Sequence, residues 1–264
     1  DYLKFDNYLS KNFKIKSINF HIFKGNILNE YDEVRKSDGT PFKVFTPFWR
    51  NAEKIYMEKI PPKDKKISKC KNKTDFFKNK ININEIHPKN KWVKKFDKYW
   101  TPGEVNALKE LKLFLSKNIE SYSEARNIPS IKGTSKLSPF IKHGQIHVET
   151  IWEECVKIKK KGVGKFLAEI GWREFNQSLI NHFPHMLKSN YSKKFDNFPW
   201  EKNLKFLAAW KRGLTGYPIV DAGMRELYST GWMHNRVRMI VGSFLVKHLL
   251  INWTEGEKYF KNCL

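Results

Sequence analysis

The chain has 264 residues, of which 40% are hydrophobic, and its formal net charge is +23. A chain of this size can bury roughly 75% of its unfolded surface, so a folded globular protein is expected. No run approaches the roughly 18 apolar residues of a membrane span, and residues 1–4 lack the order of a secretion signal, which predicts a cytoplasmic protein with no membrane partner.

The positive charge comes mainly from lysine, since only eight of the 50 basic residues are arginine. Such an excess is typical of a protein that binds a polyanion such as nucleic acid, and it is equally expected from biased genomic base composition acting on exposed positions. Cys70, Cys155 and Cys263 are odd in number and far apart. That spacing predicts neither a disulfide framework nor a metal site.

Residues 1–60 read as the end of an α/β unit. An amphipathic segment with Leu3, Tyr8 and Leu9 precedes a strand-like run, Ser17–Phe23, and turns are predicted at 24–26 and 38–39. An α/β unit needs more than one strand, so the chain is expected to begin within a domain. Residues 61–98 are rich in Lys, Asn and Asp without a sustained period, which predicts an interdomain linker.

From Tyr99 the pattern is helical. Pro102 to Glu104 predict a helix start, followed by the apolar positions Val105, Leu108, Leu111 and Leu115. Further helices are predicted at about 145–159, 163–182, 203–212, 218–229, 233–251 and 254–262. The predicted fold class is therefore mainly α, with a helical domain at 99–264 preceded by the remnant of an α/β domain at 1–60.

Small hydroxyl residues flank a cation in the segment Gly133–Pro139. Thr134, Ser135, Lys136, Leu137 and Ser138 precede a helix start, where backbone N–H groups, hydroxyls and a cation can bind an anion. The alternative is an ordinary helix cap with a surface lysine.

Four polar or aromatic residues share one face of the helix predicted after Gly162. Glu169, Trp172, Arg173 and Asn176 are spaced i, i+3, i+4 and i+7, which favours a polar pocket with an aromatic wall. The alternative is a salt-bridged surface with Trp172 packed inward.

The segment Gly231–Met239 enters a helix with two faces. The predicted core stripe is Val237, Ile240, Val241, Phe244 and Leu245. A second face holds Asn235, Arg238, Met239 and Gly242, and its glycine would let a flat ligand approach the backbone. His234 taken alone is interpreted as a hydrogen-bonded structural histidine. Periodicity makes Thr215–Leu227 a well-capped packing helix.

These motifs carry a resemblance. The run from Trp210 to Arg225, followed by Trp232 to Arg236, resembles the signature of the DNA photolyase and cryptochrome family, most closely the class I cyclobutane pyrimidine dimer photolyases. Residues 134–139 resemble its flavin-phosphate loop, and 44–48 resemble the end of its antenna domain. The resemblance implies a helical domain that holds FAD and passes an electron to a flipped-out lesion in UV-damaged DNA.

Site residues follow from the resemblance by motif position. FAD would be held by Tyr122, Thr134, Ser135, Lys136, Leu137, Ser138, Arg173, Asn235 and Arg238. Catalysis at the lesion would involve Glu169, Trp172, Asn235 and Met239. DNA would be bound by Arg126, Glu169, Trp172, Asn176 and Arg236. Electrons would reach the flavin through Trp200 and Trp253.

The resemblance also sets expectations for the whole protein. It implies a monomer whose full-length form can carry an antenna pigment, either methenyltetrahydrofolate or deazaflavin. Lys136 stands where the family usually has arginine, which exchanges a planar fork for a point charge. The chain is expected to lack half of the antenna domain and the final flavin-ring segment. Two alternatives to repair follow, a flavin photoreceptor of the cryptochrome type and a truncated DNA-binding remnant.

Overall fold

The computed structural model describes residues 2–15, 25–59 and 91–264. The described residues form eleven α-helices: α1 Tyr2–Ile15, α2 Phe45–Glu58, α3 Glu104–Lys117, α4 Tyr122–Ala125, α5 Ser138–Lys142, α6 Val148–Val156, α7 Gly162–His182, α8 Leu204–Arg212, α9 Pro218–Thr230, α10 Asn235–Ser243 and α11 Trp253–Cys263. Short 3₁₀ turns lie at Lys91–Lys98, Pro184–Leu187 and Lys193–Phe195, and a π turn follows α10 at Phe244–His248.

The mainly α fold class is confirmed. Within the described ranges the extended structure amounts to one isolated bridge between Arg35 and Pro41. The predicted strand Ser17–Phe23 and residues 61–90 of the predicted linker lie outside the described residues, so the division into three parts stays a prediction. Helix α2 was not among the predicted elements.

Two of the predicted apolar stripes need correction. The helix after Gly103 is confirmed as α3, but Val105 is 79% exposed, and its core face is Ala107, Leu111, Phe114 and Leu115. Val105 lies about 120° away from Leu111 around the helix axis, at about 100° per residue, which explains its exposure.

The predicted helix at 233–251 is also shorter than expected. It becomes α10 and a π turn, and Ile240 is 39% exposed at the edge of the stripe. The other members of that stripe, Val237, Val241, Phe244 and Leu245, are buried as predicted.

Two buried clusters hold the helices together. The first joins side chains of α2, α3, α6 and α7, and the second joins α8 to α11. In the first cluster α2 packs closely on α7 because Gly171 faces the Trp49 ring, where a Cβ would lie 2.3 Å from a ring carbon. Residues on both sides of the 60–90 gap therefore share one core.

The Thr215–Leu227 motif forms the predicted well-capped packing helix. The Asp221 carboxylate accepts hydrogen bonds from the N–H groups of Thr215 and Gly216 and from the Thr215 hydroxyl. Arg225 donates to the carbonyl of Gly213, which ends α8 in the left-handed conformation at φ 62°. These bonds fix the turn between α8 and α9.

Candidate functional site

The loop before α5 has the geometry of an anion cradle. Lys136 adopts a positive φ of 52°, and the side chain of Leu137 is buried beneath the loop. Within the described structure the N–H groups of Thr134, Ser135 and Lys136 donate to no protein acceptor. Successive free N–H groups around a left-handed residue form a concavity that binds anions. The Leu137 N–H bonds to the Ser135 hydroxyl at 3.4 Å, and Ser138 begins α5.

The side chain of Lys136 connects this loop to the Gly231–Met239 segment. Its Nζ lies 4.6 Å from the centroid of the Trp232 ring. Trp232 in turn meets the ring of His234 edge-on at 6.2 Å. The predicted phosphate loop and the start of α10 are therefore neighbours.

Tyr122 is buried between the rings of Phe114 and Phe166, each 5.4 Å away and edge-on. Burial raises the pKa of Tyr122 to about 12, so its phenol remains protonated at neutral pH. The Arg126 guanidinium lies 5.7 Å from the Tyr122 ring. Tyr122 can therefore offer a neutral hydroxyl donor beside a cation.

Arg126 forms an ion pair with Glu169 of α7. Arg126 is only 8% exposed, and its Nη1 donates to Oε1 of Glu169. The second oxygen, Oε2, accepts from no described residue, so a ligand can reach it with a donor of its own.

Arg236 lies beside this pair. Its Nε and Nη2 both donate to Oδ1 of Asn127, at 2.9 and 2.6 Å, and its Nη1 lies 3.6 Å from the sulfur of Met239. Asn127 follows Arg126 directly, so Arg126, Glu169, Arg236 and Met239 lie in one neighbourhood, and their roles toward DNA stay a prediction. Met239 is 57% exposed.

Trp172 contributes an aromatic wall that has two layers. Its ring stacks on Phe45 of α2 at 3.8 Å with an interplanar angle of 8°, and Trp172 is 42% exposed. Trp172 thus combines the exposed wall of the predicted pocket with the inward packing of the alternative, a salt-bridged surface. The wall also includes Phe45, a residue that sequence reasoning missed. Its apolar partner lies 127 positions away in the chain, which no local pattern indicates.

The side chain of Arg173 pairs with its neighbour in the chain, Glu174. Its Nη1 donates to Oε1 of Glu174 at 2.9 Å, while Oε2 of Glu174 accepts from the Leu28 N–H at 2.8 Å. Among the described contacts none joins Arg173 to the 134–138 loop. Burial raises the pKa of Glu174.

The buried acid Glu174 was missed by the sequence reasoning. The spacing of Leu167, Gly171, Glu174 and Ser178 on one helix face would have indicated its burial. Asn176 and Asn235, which were predicted to contact ligands, are exposed and make no side-chain hydrogen bond within the described structure.

Two side chains at the start of α10 keep unpaired polar nitrogens. Nε of Arg238 and Nε2 of His234 are buried and have no hydrogen-bond partner in the described part of the chain. Burial lowers the pKa of the Arg238 guanidinium, and no described carboxylate forms an ion pair with it. A buried cation in this state is stabilised by an anionic ligand.

The two candidate electron-relay tryptophans lie in adjoining segments. Nε1 of Trp253 donates to Oδ1 of Asn190 at 3.0 Å, and the N–H of Glu201, next to Trp200, donates to the carbonyl of Leu250 at 2.7 Å. Trp253 and Gly242 both line an apolar pocket of about 420 Å³ between α10 and α11. Both tryptophans are half-buried.

The described residues contain neither a membrane-spanning helix nor a cluster of metal ligands. None of their helices combines the length and apolar character needed to cross a bilayer. No group of three or more His, Cys, Asp or Glu side chains in those ranges is arranged to hold a metal ion.

Comparison with known proteins gives two family matches. Residues 1–65 match the family described as DNA photolyase, and residues 166–264 match the FAD binding domain of DNA photolyase. Among curated proteins, the deoxyribodipyrimidine photo-lyase of Agrobacterium fabrum is 39% identical, covering 98% of this chain and 55% of the relative. Cryptochrome-2 of Arabidopsis thaliana is 34% identical, covering 94% of this chain and 43% of the relative.

Two solved structures are also similar to this chain. A bacterial class III photolyase from Agrobacterium tumefaciens superposes with a TM-score of 0.84 at 37% identity, covering 99% of this chain and 55% of that one. A Synechocystis cryptochrome superposes with a TM-score of 0.81 at 26% identity, covering 99% of this chain and 56% of that one. The chain thus spans about half the length of the relatives it matches. With its helical fold and its signature residues, the chain belongs to the DNA photolyase and cryptochrome family.

Proposed function

We propose that this protein repairs UV-damaged DNA by splitting cyclobutane pyrimidine dimers in a light-dependent reaction that uses FAD. The observation that carries the proposal is the cluster of Arg126, Glu169, Arg236 and Met239 beside the exposed ring of Trp172. It combines cations, an acceptor oxygen and apolar surface on neighbouring residues. Two photolyase family models also match the chain.

The residues present fit the cofactor. Three free N–H groups at 134–136, the neutral phenol of Tyr122 and the unpaired guanidinium nitrogen of Arg238 are donors that suit a diphosphate and ring heteroatoms. When bound in its reduced form, FAD supplies the light-excited electron that splits the dimer. Lys136, Leu137, Ser138 and Asn235 complete the proposed binding set. Arg173 belongs to it only as a prediction from the family resemblance, because its guanidinium bonds to Glu174 in this structure.

The DNA contacts divide into two kinds. Arg236, which Asn127 holds in place, would neutralise a phosphate, whereas the buried Arg126 would act on the DNA through Glu169, the carboxylate that it positions. Asn176, exposed on the same helix as Glu169, would add a neutral polar contact. The net charge of +23 supports a polyanionic partner.

Recognition of the lesion would use the two-layered wall. Flipping bases out of a duplex costs a few kcal/mol, least for a damaged step, and stacking on an aromatic ring recovers part of that cost. Trp172, backed by Phe45, offers its exposed surface for this stacking, and Met239 adds apolar contact. Oε2 of Glu169 is free to accept a hydrogen bond from a pyrimidine N–H.

Trp200 and Trp253 would carry electrons from the surface to the flavin. Their segments are joined by the hydrogen bond between Glu201 and Leu250. We further propose that the enzyme works as a monomer, because the residues assigned to cofactor and lesion lie on one chain. We propose that the enzyme acts on DNA in the cytoplasm. We also propose that the full-length protein carries a folate or deazaflavin antenna.

The experiment compares illuminated and dark samples. The purified protein is mixed with an oligonucleotide that contains one thymine dimer, and intact dimers are counted by chromatography after blue-light exposure. Loss of dimers only in the light supports repair. A flavin-containing protein that binds damaged and undamaged DNA alike and removes no dimer contradicts the proposal and favours the photoreceptor. A colourless protein that still retards damaged DNA favours the DNA-binding remnant.

A further inference from the structure

The start of α10 holds a buried imidazole with only one of its two nitrogens bonded. His234 is 3% exposed, and its Nδ1 accepts a hydrogen bond from the backbone N–H of Arg236 at 3.2 Å, so the side chain caps the helix. Its Nε2 is buried and has no partner within the described structure. Buried polar groups are nearly always paired, so this nitrogen calls for an explanation.

The bond at Nδ1 fixes the chemical character of Nε2. Because Nδ1 accepts a hydrogen bond, the proton of the neutral ring resides on Nε2. Burial, followed by the neighbouring guanidinium groups of Arg236 and Arg126, lowers the pKa of His234 and keeps the ring neutral. Nε2 is therefore an N–H donor without an acceptor.

The surroundings of this donor belong to the proposed lesion site. Arg126 pairs with Glu169, Arg236 pairs with Asn127, and both cations act on His234. Trp232 meets the ring edge-on, and Lys136 covers Trp232 from the phosphate loop. Because several of the surrounding side chains are cations, the N–H donor suits an oxygen that carries negative charge.

We propose that His234 is a positioning residue whose Nε2–H donates a hydrogen bond to an oxygen of the bound ligand. This inference rests on the proposed function. The two flanking arginines favour an oxygen of the damaged DNA strand, and a carbonyl oxygen of the flavin has the same chemistry. The capping bond at Nδ1 orients the ring, so the start of α10 fixes the direction of the Nε2–H donor.

Two substitutions separate the helix cap from the ligand contact. His234→Asn keeps an acceptor for the Arg236 N–H, because asparagine is a favoured N-cap residue, but it is too short to present a donor where Nε2 lies. His234→Gln carries an NH₂ group at about the reach of Nε2 and loses the cap. Urea unfolding reports the cap. Dark titration with dimer-containing and undamaged oligonucleotides, and the flavin retained per chain, report the contact.

We expect His234→Asn to keep the cap, to lose only the stability that the buried ring contributes, and to bind dimer-containing DNA about fivefold more weakly, the effect of one hydrogen bond of about 1 kcal/mol. His234→Gln should recover part of that affinity in spite of lower stability. If His234→Asn instead loses flavin while binding DNA normally, the acceptor is a flavin oxygen. Unchanged binding of both ligands by His234→Asn would overturn the proposal.

The ring itself provides an independent measurement. ¹⁵N NMR of histidine-labelled protein should show the proton of His234 on Nε2, and a proton on Nδ1 would also overturn the inference. A wild-type protein that retains flavin but does not prefer damaged DNA contradicts the proposed function alone. In that case the amount of flavin that His234→Asn retains still shows whether His234 contacts a ligand.

Discussion

The Arg126 guanidinium donates to Oε1 of Glu169 and thereby ties the residue after α4 to the middle of α7. The bond leaves Oε2 of Glu169 without a partner in the described structure. Because the neighbouring cation offsets the charge of the carboxylate, an acidic residue can take part in the DNA-binding site that we propose.

Replacing Glu169 by Gln should slow dimer splitting more than it weakens dimer binding. The amide keeps the shape of the side chain but loses charge and one acceptor oxygen. We expect about a fivefold lower yield of repaired dimers per absorbed photon, equivalent to about 1 kcal/mol. The yield is measured by actinometry on bound substrate.

Glu124→Gln is the matched control, because Glu124 is exposed on α4 and makes no ion pair in the described structure. Its yield should equal that of the wild type. A wild-type yield in Glu169→Gln would remove Glu169 from the reaction.

Replacing Trp253 by Phe should abolish photoreduction of oxidised flavin. Phenylalanine keeps most of the packing, loses the hydrogen bond to Asn190 and cannot be oxidised as readily as an indole. Repair by protein that has been reduced chemically should stay intact. Absorbance changes of the flavin under blue light with an external thiol present give the rate.

Trp100→Phe serves as the comparison, since Trp100 is half-buried and also loses a single hydrogen bond, to the Thr230 carbonyl. It should photoreduce at the wild-type rate. Equal rates in both variants would exclude Trp253 from the electron path.

Gly242→Ala should stabilise the polypeptide and weaken its hold on the flavin. No atom lies within 4 Å of a Cβ built at Gly242, and alanine is favoured over glycine in a helix by about 0.5–1 kcal/mol. A flat ligand lying against this backbone would instead meet the added methyl group. Urea unfolding of flavin-free protein and flavin titration measure the two effects.

Gly164→Ala provides the control, because Gly164 is helical, exposed and equally open. It should gain similar stability without any change in flavin affinity. Unaltered flavin binding in Gly242→Ala would show that the ligand does not approach this backbone.

Glu174 should give the free energy of unfolding a distinctive pH dependence. Burial raises its pKa in the folded state above the ordinary value of 4.5. The folded state therefore binds the proton more tightly, so the stabilisation is complete below pH 4.5 and is lost as the pH rises through the raised pKa. In Glu174→Gln that decline should disappear.

Urea unfolding at several pH values checks this slope, with Glu120→Gln, an exposed acid, as the reference. An identical slope in Glu174→Gln and in the wild type would mean that Glu174 does not titrate differently in the two states.

Sequence patterns predicted the helices and helix ends that depend on contacts between near neighbours in the chain. The periodicity of α7, α9 and α10 follows from side chains three or four residues apart, and the turn residues Gly213 and Gly231 mark helix ends at positive φ. The π turn after α10 was not predicted, because a hydrogen bond to the residue five positions earlier, here from Leu249 to Phe244, leaves no mark in the hydrophobic periodicity.

The full set of residues in the candidate site could not be predicted, because these residues meet through contacts between positions far apart in the chain. Leu28 and Glu174 are 146 positions apart, and Arg236 and Asn127 are 109 apart. One helix face predicted that Glu169, Trp172 and Arg173 act together. The structure gives each a different partner, because α2 and α4 approach α7 from different sides.

Light-dependent splitting of the dimer can be measured by a flash experiment. Protein with chemically reduced flavin is saturated with a dimer-containing oligonucleotide, and the remaining dimers are counted after each of a series of short blue flashes. We expect dimers to disappear in proportion to the number of flashes and their number to stay constant in the dark. A constant number of dimers under flashes, in protein that holds both flavin and damaged DNA, would contradict light-dependent repair.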